Sequence, residues 1–512
     1  MAPVLKLLKL NQPALPAGSP NQLAYRLRES VWIQATDANV QLVLAYPLKS
    51  IRIHSHWHYL FECLSDRELA TFDAISAICE NQNPAELEFF LDELVRKGFL
   101  ERQGISALSH YPFVSVIIPV RNRPDDIAVC LRSLRKLDYA EDKLEIIVVD
   151  DASIDKTPDV VSRFPVHLLR LKQHRQASYC RNHAARQARG ELLAFIDSDC
   201  LADSAWLREL VPAFKDRTLG AVGGIVDSYY HENGLDRYEK VKSSLRVSAY
   251  FRRSEQNDPF FYLPSCNLLV RRDLFLQLGG FNEDLVVGED VDLCWRMQKR
   301  GDHIEYRPVG RIDHKHRNKL ISFCRRRFDY GTSEPLLNRM HPKKIKRMVC
   351  PPLACVFWTG MMLSLVLNEL SLLGVSAAAI IADGTQKLFY IRKKSLAIKT
   401  SLLLLSVLRG YSSLLYHIGS FVSRYYLFLA LIILPIAPAA ATVILILHLT
   451  AGTADYVITN PQLNPISFLF YFTLEQLSYQ LGVWWGCFKT GCFRPVNPIV
   501  VSKISGQNTC HD

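Results

Sequence analysis

Hydrophobic patterning divides this chain of 512 residues into three successive regimes. In the first, short β-rich runs at 31–33, 40–44 and 49–53 precede two stretches with apolar residues at helical spacing. One, at 65–79, opens on a Ser-x-x-Glu capping box formed by Ser65 and Glu68. The other, at 84–97, stops at Gly98, a suitable C-terminal cap. The pattern predicts a small α+β module of winged-helix type over 25–104, after an N-terminal tail at 1–24 and before a linker at 104–112.

From 113 to 342, strand and helix signals alternate, as an α/β sheet requires. The runs 114–118, closed by Pro119, and 144–149, ending in Asp150 and Asp151, read as strands. A basic helix at 176–189, terminated by Gly190, feeds a strand beginning at 192. A helix at 205–214, a strand at 221–226 and a helix at 291–300 closed by Gly301 follow. Beyond 349 the pattern becomes continuously apolar. Runs at 353–367 and 370–381 flank Asn368 and Glu369, and a longer run at 425–449 is broken by Pro435 and Pro438. The last is long enough to span a bilayer, and 396–421 suits an interfacial helix. Membrane-associated helices are therefore expected over 349–490, with a C-terminal tail at 491–512.

Charge alters this picture by its location. The chain carries 61 Lys+Arg against 50 Asp+Glu, a formal +11. Much of the excess lies at 339–347 and 387–399, flanking hydrophobic segments, which suits the cytoplasmic face of a membrane better than a nucleic acid. The 13 cysteines are scattered, none at zinc-knuckle spacing, and imply reduced thiols in the cytosol. The N-terminus is too short and polar for a signal peptide.

Candidate chemistry gathers where an α/β sheet builds a site, at strand ends and helix starts. The stretch LLAFIDSD ends a buried-type strand in Asp197 and Asp199. Two carboxylates there lose hydration without gaining a partner unless a divalent cation bridges them to a phosphate. Pro119 and Arg121, Asp150 and Asp151, and Gly288-Glu289-Asp290 occupy comparable positions. Each also has a local explanation as strand stop, turn former or helix cap, and acids such as Glu289 and Asp290 suit a helix N-terminus through its dipole. His314 and His316 read equally as metal ligands or surface polar residues. Arg325, Arg326 and Arg327 read as a phosphate grip or, preferentially, as a solvated basic turn near lipid headgroups.

As an ordered set, SVIIPVRNR, EIIVVDDAS, RNHAARQARGE, LLAFIDSD and GEDVDLCWR resemble family 2 glycosyltransferases of the GT-A fold, over about 113–317. DRYEKVKSSL, YLPSCNLLVRR, GEDVDLCWRM and YGTSEPLLNRMHP are similar to the mycofactocin-system glycosyltransferases, which decorate a peptide-derived redox cofactor. The module at 25–102 is similar in pattern to small peptide-binding domains of ribosomal-peptide maturation systems.

The resemblance implies roles. Asp151, with Asp150, would hydrogen-bond the nucleotide near Pro119 and Arg121, and Arg181 would also face it. Asp199 would coordinate Mn²⁺ or Mg²⁺ on the diphosphate, with Asp197 holding ribose or metal-bound water and His314 completing the metal shell. Asp290, beside Glu289, would be the general base that takes the acceptor hydroxyl's proton. One base opposite one leaving group implies inversion. The Q-x-x-R-W motif of processive polysaccharide synthases is absent from the sequence, so limited sugar transfer is expected.

The expectation is an inverting, metal-dependent transfer of a hexose, from UDP-glucose or another UDP-hexose, to a small peptide-derived acceptor. A lipid-linked or cell-envelope acceptor is the alternative. A membrane-tethered winged-helix regulator is the reading from another class. The module's 8 Lys/Arg against 12 Asp/Glu over residues 25–102 argue against DNA and leave peptide capture or a purely structural wing open.

Overall fold

The computed structural model describes residues 23–502 apart from 36–38, 45–48, 55–56, 66–67, 81, 105–110, 249–250, 255–260, 345 and 394–399. The outer part of each expected tail, most of the linker and the start of the expected interfacial helix therefore lie outside the described residues.

In the N-terminal module, β1 (Ala24–Leu27) pairs antiparallel with both β5 (Ala70–Thr71) and β6 (Leu100–Gln103). Beside it runs a meander of β2 (Val31–Ala35), β3 (Asn39–Leu44) and β4 (Lys49–His54). Helices α1 (His58–Cys63), α2 (Phe72–Ile78) and α3 (Pro84–Arg96) close a core around Tyr25, Leu42, Phe61, Leu91 and Phe99. The second predicted element starts later than its capping box suggests. Helix α2 begins at Phe72, where the Thr71 hydroxyl accepts from the Ala74 amide at 3.2 Å, because Ala70 and Thr71 are first drawn into pairing with β1.

The larger sheet has eight strands in the order β14-β16-β12-β15-β10-β7-β8-β9. At its centre, β7 (Val114–Val120) runs parallel to both β8 (Leu144–Asp150) and β10 (Leu192–Phe195), and β9 (His167–Arg170) extends it beside β8. The other half holds β12 (Leu219–Gly223), β14 (Arg252–Arg253), β15 (Leu268–Arg271) and β16 (His303–Tyr306). Strand β15 is antiparallel to β10 and β12, making the sheet mixed. A separate small sheet joins β11 (Cys200–Ala202), β17 (Ile312–His314) and β13 (Val226–Ser228).

Helices α4 (Pro124–Leu134), α5 (Thr157–Val161), α6 (Gln176–Gln187), α7 (Trp206–Leu210), α8 (Gly234–Lys242), α9 (Arg272–Gln277) and α10 (Glu289–Arg300) connect these strands. Two apolar clusters result, one around Val116, Ile118 and Trp206, the other around Ile117, Phe195 and Phe275. Alternate residues of β7 enter each cluster, which explains its continuous rather than alternating hydrophobicity.

Pro119 does not end β7. It sits opposite Val149, beyond the last pairing with β10 at Ile117, where the missing N–H costs no ladder bond on that side. Gly190 lies past the end of α6 and does not cap it. A Cβ there would meet the Ser115 amide at 2.5 Å, so the glycine lets the chain pass against β7. The strand expected at 221–226 divides into β12 and β13, which join different sheets.

Helix α11 (Leu320–Met340) packs on α17 (Pro465–Thr490). The backbones approach so closely that a Cβ on Gly482 would lie 2.1 Å from the Phe328 carbonyl, and one on Gly331 would lie 2.2 Å from that of Tyr479. Between them run α12 (Pro352–Leu367), α13 (Leu372–Lys393), α14 (Thr400–Tyr425), α15 (Leu427–Ile433) and α16 (Pro438–Thr459). Strand β18 (Arg347–Val349) pairs parallel with β19 (Ile499–Val501), so the expected tail is partly ordered. The apolar run at 425–449 is not one helix. The segments Leu405–Tyr425 and Leu427–Ile433 meet at a 70° bend, and Pro438 starts a new helix. Among the described residues, one unbroken helix, Pro438–Thr459, is long and apolar enough to cross a membrane.

Candidate active site

Parallel pairing brings the carboxyl ends of β7, β8 and β10 to one edge of the sheet. After β10, the Ile196 amide still bonds the Ile117 carbonyl at 3.3 Å, and the chain turns through Asp197, Ser198 and Asp199. Strand β11 then pairs with β17 in a register that sets Cys200 opposite His314. That register places His314 Nε2 3.7 Å from Asp199 Oδ1. Asp199 also takes a bond from Arg123 Nη1 at 2.6 Å and lies 3.6 Å from Arg317 Nη1. Burial opposes its ionisation, but His314, Arg123 and Arg317 together hold its pKa below the ordinary value.

Asp199, Cys200 and His314 offer ligand atoms within 4.8 Å of one another. The carboxylate oxygen suits Mn²⁺ or Mg²⁺, and the imidazole nitrogen favours Mn²⁺ of the two. Among the described residues, the buried His314 Nδ1 has no hydrogen-bond partner. The Cys200 thiol is a soft donor that suits neither ion, and burial raises its pKa. His316 turns away, its Nδ1 3.6 Å from Glu239, and burial with the nearby His314 pushes its pKa down to about 2.

The other half of the site is the start of α10. Gly288 adopts φ 85°, a left-handed conformation that aims the next two acids inward. Glu289 accepts from Arg181 Nη1 at 3.0 Å and from the Ser265 hydroxyl at 3.1 Å. Asp290 accepts from the Ser265 amide at 3.2 Å and the Val291 amide at 2.8 Å. Burial pushes the Asp290 carboxyl up to about 7, with the Glu289 charge adding to the effect and the two amides and Arg181 opposing it. Arg181, 2% exposed, ties the halves together by also bonding Asp197 at 2.5 Å.

All these groups open on one cavity of about 1120 Å³, whose wall includes Asp151, Asp197, Asp199, His314, Glu289 and Asp290. Pro119 and Arg121 line it as well. Asp150 does not. It is 1% exposed with Oδ2 3.8 Å from Arg170 Nε, because alternate side chains at a strand end leave opposite faces. Asp151 faces the cavity while accepting the Arg175 and Gln176 amides, at 2.7 and 3.0 Å, at the start of α6. Arg181 is also on the cavity wall, with its guanidinium bonded to Asp197 and Glu289.

Several participants escaped the sequence reading. In PVRNRP, Asn122 takes φ 51° and reverses the chain, so that Arg123 rather than Arg121 turns to Asp199. Ser265 precedes a cysteine in an unremarkable loop, and only the fold brings it to α10. The arginines at 325–327 form no solvated turn but lie within α11. Arg327 is buried against Glu239, while Arg326 faces the cavity over the Tyr330 ring at 4.9 Å.

Residues 115–279 match the family model for glycosyl transferase family 2. The chain is similar to the pre-mycofactocin glycosyltransferase of Mycobacterium tuberculosis, 28% identical over 386 residues covering 73% of this chain and 79% of that protein. It is also similar to glycosyltransferase AglE of Haloferax volcanii, 32% identical over 200 residues, 38% of this chain and 64% of that one. Among solved structures, a mannosyltransferase from Pyrobaculum calidifontis in complex with GDP-Man and Mn²⁺ aligns with a TM-score of 0.38 and 22% identity. The alignment covers 59% of this chain and 88% of that one.

Proposed function

The chain carries a family 2 glycosyltransferase domain of GT-A fold, and from that premise we propose an inverting, metal-dependent transfer of a hexose from a UDP-sugar, with UDP-glucose as donor, to a hydroxyl of a small peptide-derived acceptor. The observation that carries this reading is the shared cavity. Asp199 and His314, from one end of the sheet, and Asp290, from a helix some ninety residues later in sequence than Asp199, line the same space.

Asp199 and His314 would hold Mn²⁺ or Mg²⁺, which supplies Lewis-acid stabilisation of the diphosphate leaving group. Asp197 and Asp151 would fix the nucleoside. Asp290 would accept the acceptor's proton as its oxygen bonds the anomeric carbon and the bond to the diphosphate breaks. A carboxyl with a pKa of about 7 is basic enough for this and about half ionised at neutral pH. Glu289, held by Arg181 and Ser265, raises the basicity of Asp290 and is not free to serve as a nucleophile. That favours one displacement with inversion.

The acceptor class draws on the likeness to the pre-mycofactocin glycosyltransferase of Mycobacterium tuberculosis. A lipid-linked acceptor is favoured by a different observation, the outward apolar faces of the C-terminal helices. Leu431 is 71% exposed and Phe488 70%. The same faces support membrane attachment, with the catalytic domain in the cytoplasm. In the N-terminal module the outer strands of β5-β1-β6 and β2-β3-β4 offer edges for a peptide.

The test is radiolabelled transfer from UDP-glucose with Mn²⁺ into water-soluble and solvent-extractable fractions of a cell extract. Labelling of a small soluble product supports the leading reading, and label in the organic phase transfers support to the lipid reading. Absence of turnover with any UDP-sugar overturns both.

A further inference from the structure

The cavity does not end at Asp290. It continues between α11, β18, α14 and α17, where its wall includes Tyr330, Lys346, Ser420, Arg424, Tyr425 and Tyr479. Arg424 stacks on the Tyr479 ring at 3.6 Å. Among the described residues no carboxylate lies within ion-pairing distance of it. The acid on this part of the wall, Glu334, is taken up by Lys346 and by the hydroxyls of Tyr425 at 3.0 Å and Tyr479 at 2.7 Å. Glu475 is taken up by Tyr238 and Arg327, the latter at 3.4 Å. Glu475 acts on Arg424 only from beyond ion-pairing distance, so the guanidinium keeps N–H donors for an anionic ligand. Lys346 is already paired with Glu334, while the exposed Arg347 is a further cation on this wall.

This region adjoins the reacting centre. Tyr262, whose hydroxyl bonds the Ser244 carbonyl at 3.0 Å, lies on the wall with both, within electrostatic reach of Asp290 on one side and of Tyr330, Tyr479 and Arg424 on the other. Asp290 and Arg424 thus share one cavity wall with Tyr262. We propose that Arg424, supported by Tyr479 and Lys346, forms an acceptor-side subsite for an anionic group, a phosphate or carboxylate carried by the acceptor beside its reacting hydroxyl. The proposal rests on the glycosyltransferase reading above. Planar Arg suits bidentate capture of such a group.

The experiment uses the full chain in neutral detergent, saturated with UDP and Mn²⁺ so that the donor region is filled. Phenyl phosphate and dihexanoyl phosphatidic acid are titrated calorimetrically into wild type, Arg424→Gln and Arg424→Lys. At least one probe is expected to bind wild type, with affinity at least tenfold weaker in Arg424→Gln and only partly restored in Arg424→Lys. Binding of phosphatidic acid alone identifies a lipid source of the anion, and binding of phenyl phosphate identifies a soluble one. Equal UDP affinity in all three proteins confirms that the variants are folded. The proposal is overturned if neither anion binds the UDP-saturated wild type, or if Arg424→Gln binds as tightly. Failure of wild type to bind UDP at all sinks the glycosyltransferase reading, and this subsite with it.

Discussion

Replacing Asp290 with Asn separates the cost of the base from its use. The carboxyl is lifted from an ordinary 3.8 to about 7. A folded-state pKa above the unfolded one means that the native protein holds the proton longer. Stability from this group is therefore intact below about pH 4 and lost as pH rises through about 7. Roughly three pKa units correspond to a ceiling of about 4 kcal/mol of destabilisation at pH 8. Asp290 keeps part of its surface open to the cavity, so solvent screening brings the expected figure nearer ~2 kcal/mol. Asn removes this pH-dependent term. It also has one oxygen for the two amides of Ser265 and Val291, a loss on the order of 1 kcal/mol at every pH. The informative quantity is thus the variant's stability relative to wild type at pH 8 minus the same difference at pH 4, in which the amide loss cancels. Urea unfolding in detergent at both pH values should give about 2–4 kcal/mol in favour of the variant, while sugar transfer falls roughly 10²–10⁴-fold. A difference that is the same at both pH values would refute the assignment of a buried, raised carboxyl, and near-normal transfer would refute its role as base.

The same pKa sets the pH profile. At saturating donor, turnover should climb about tenfold per unit up to pH 7 and then level, and a flat profile from pH 5 to 8 would contradict a base of this strength. Arg181→Met should cost about 2–3 kcal/mol, read from the urea midpoint, because it leaves the partly exposed Asp197 and Glu289 without their shared cation. A loss below 1 kcal/mol would show that solvent compensates these acids. Gly482→Leu should lower the melting temperature of the whole chain, with Gly482→Ala doing so less, since any side chain meets the Phe328 carbonyl. Unchanged melting would mean that α11 and α17 do not bear on each other.

The strands of the catalytic sheet were legible because they are buried on both faces and read as unbroken apolar runs ended by acids. Strand β7 illustrates both the strength and the limit of that signal, since Pro119 reads as a stop and proves to be a paired position. Asp199, His314 and Asp290 could be picked out as candidates, but what joins them is register, Cys200 opposite His314, which no local pattern records. Direction at a strand end was equally hidden. Asp150 and Asp151 are neighbours in sequence, yet Asp151 alone of the two faces the cavity. Parity could have flagged this, because Asp150 belongs to the strand and Asp151 follows it. The C-terminal helices were foreseen as apolar segments, whereas α11 was missed. Its Arg, Tyr and Glu residues gave no apolar stripe, since they line a cavity shared with helices a hundred residues away.

The account depends on a division of labour within one cavity, Asp199 serving the donor and Asp290 the acceptor. Calorimetric titration of UDP with Mn²⁺ into wild type, Asp199→Asn and Asp290→Asn tests it most directly. The expected result is binding of UDP by wild type and Asp290→Asn with similar affinity, and loss of at least tenfold in Asp199→Asn. UDP binding that survives without Asp199 and fails without Asp290 would contradict it.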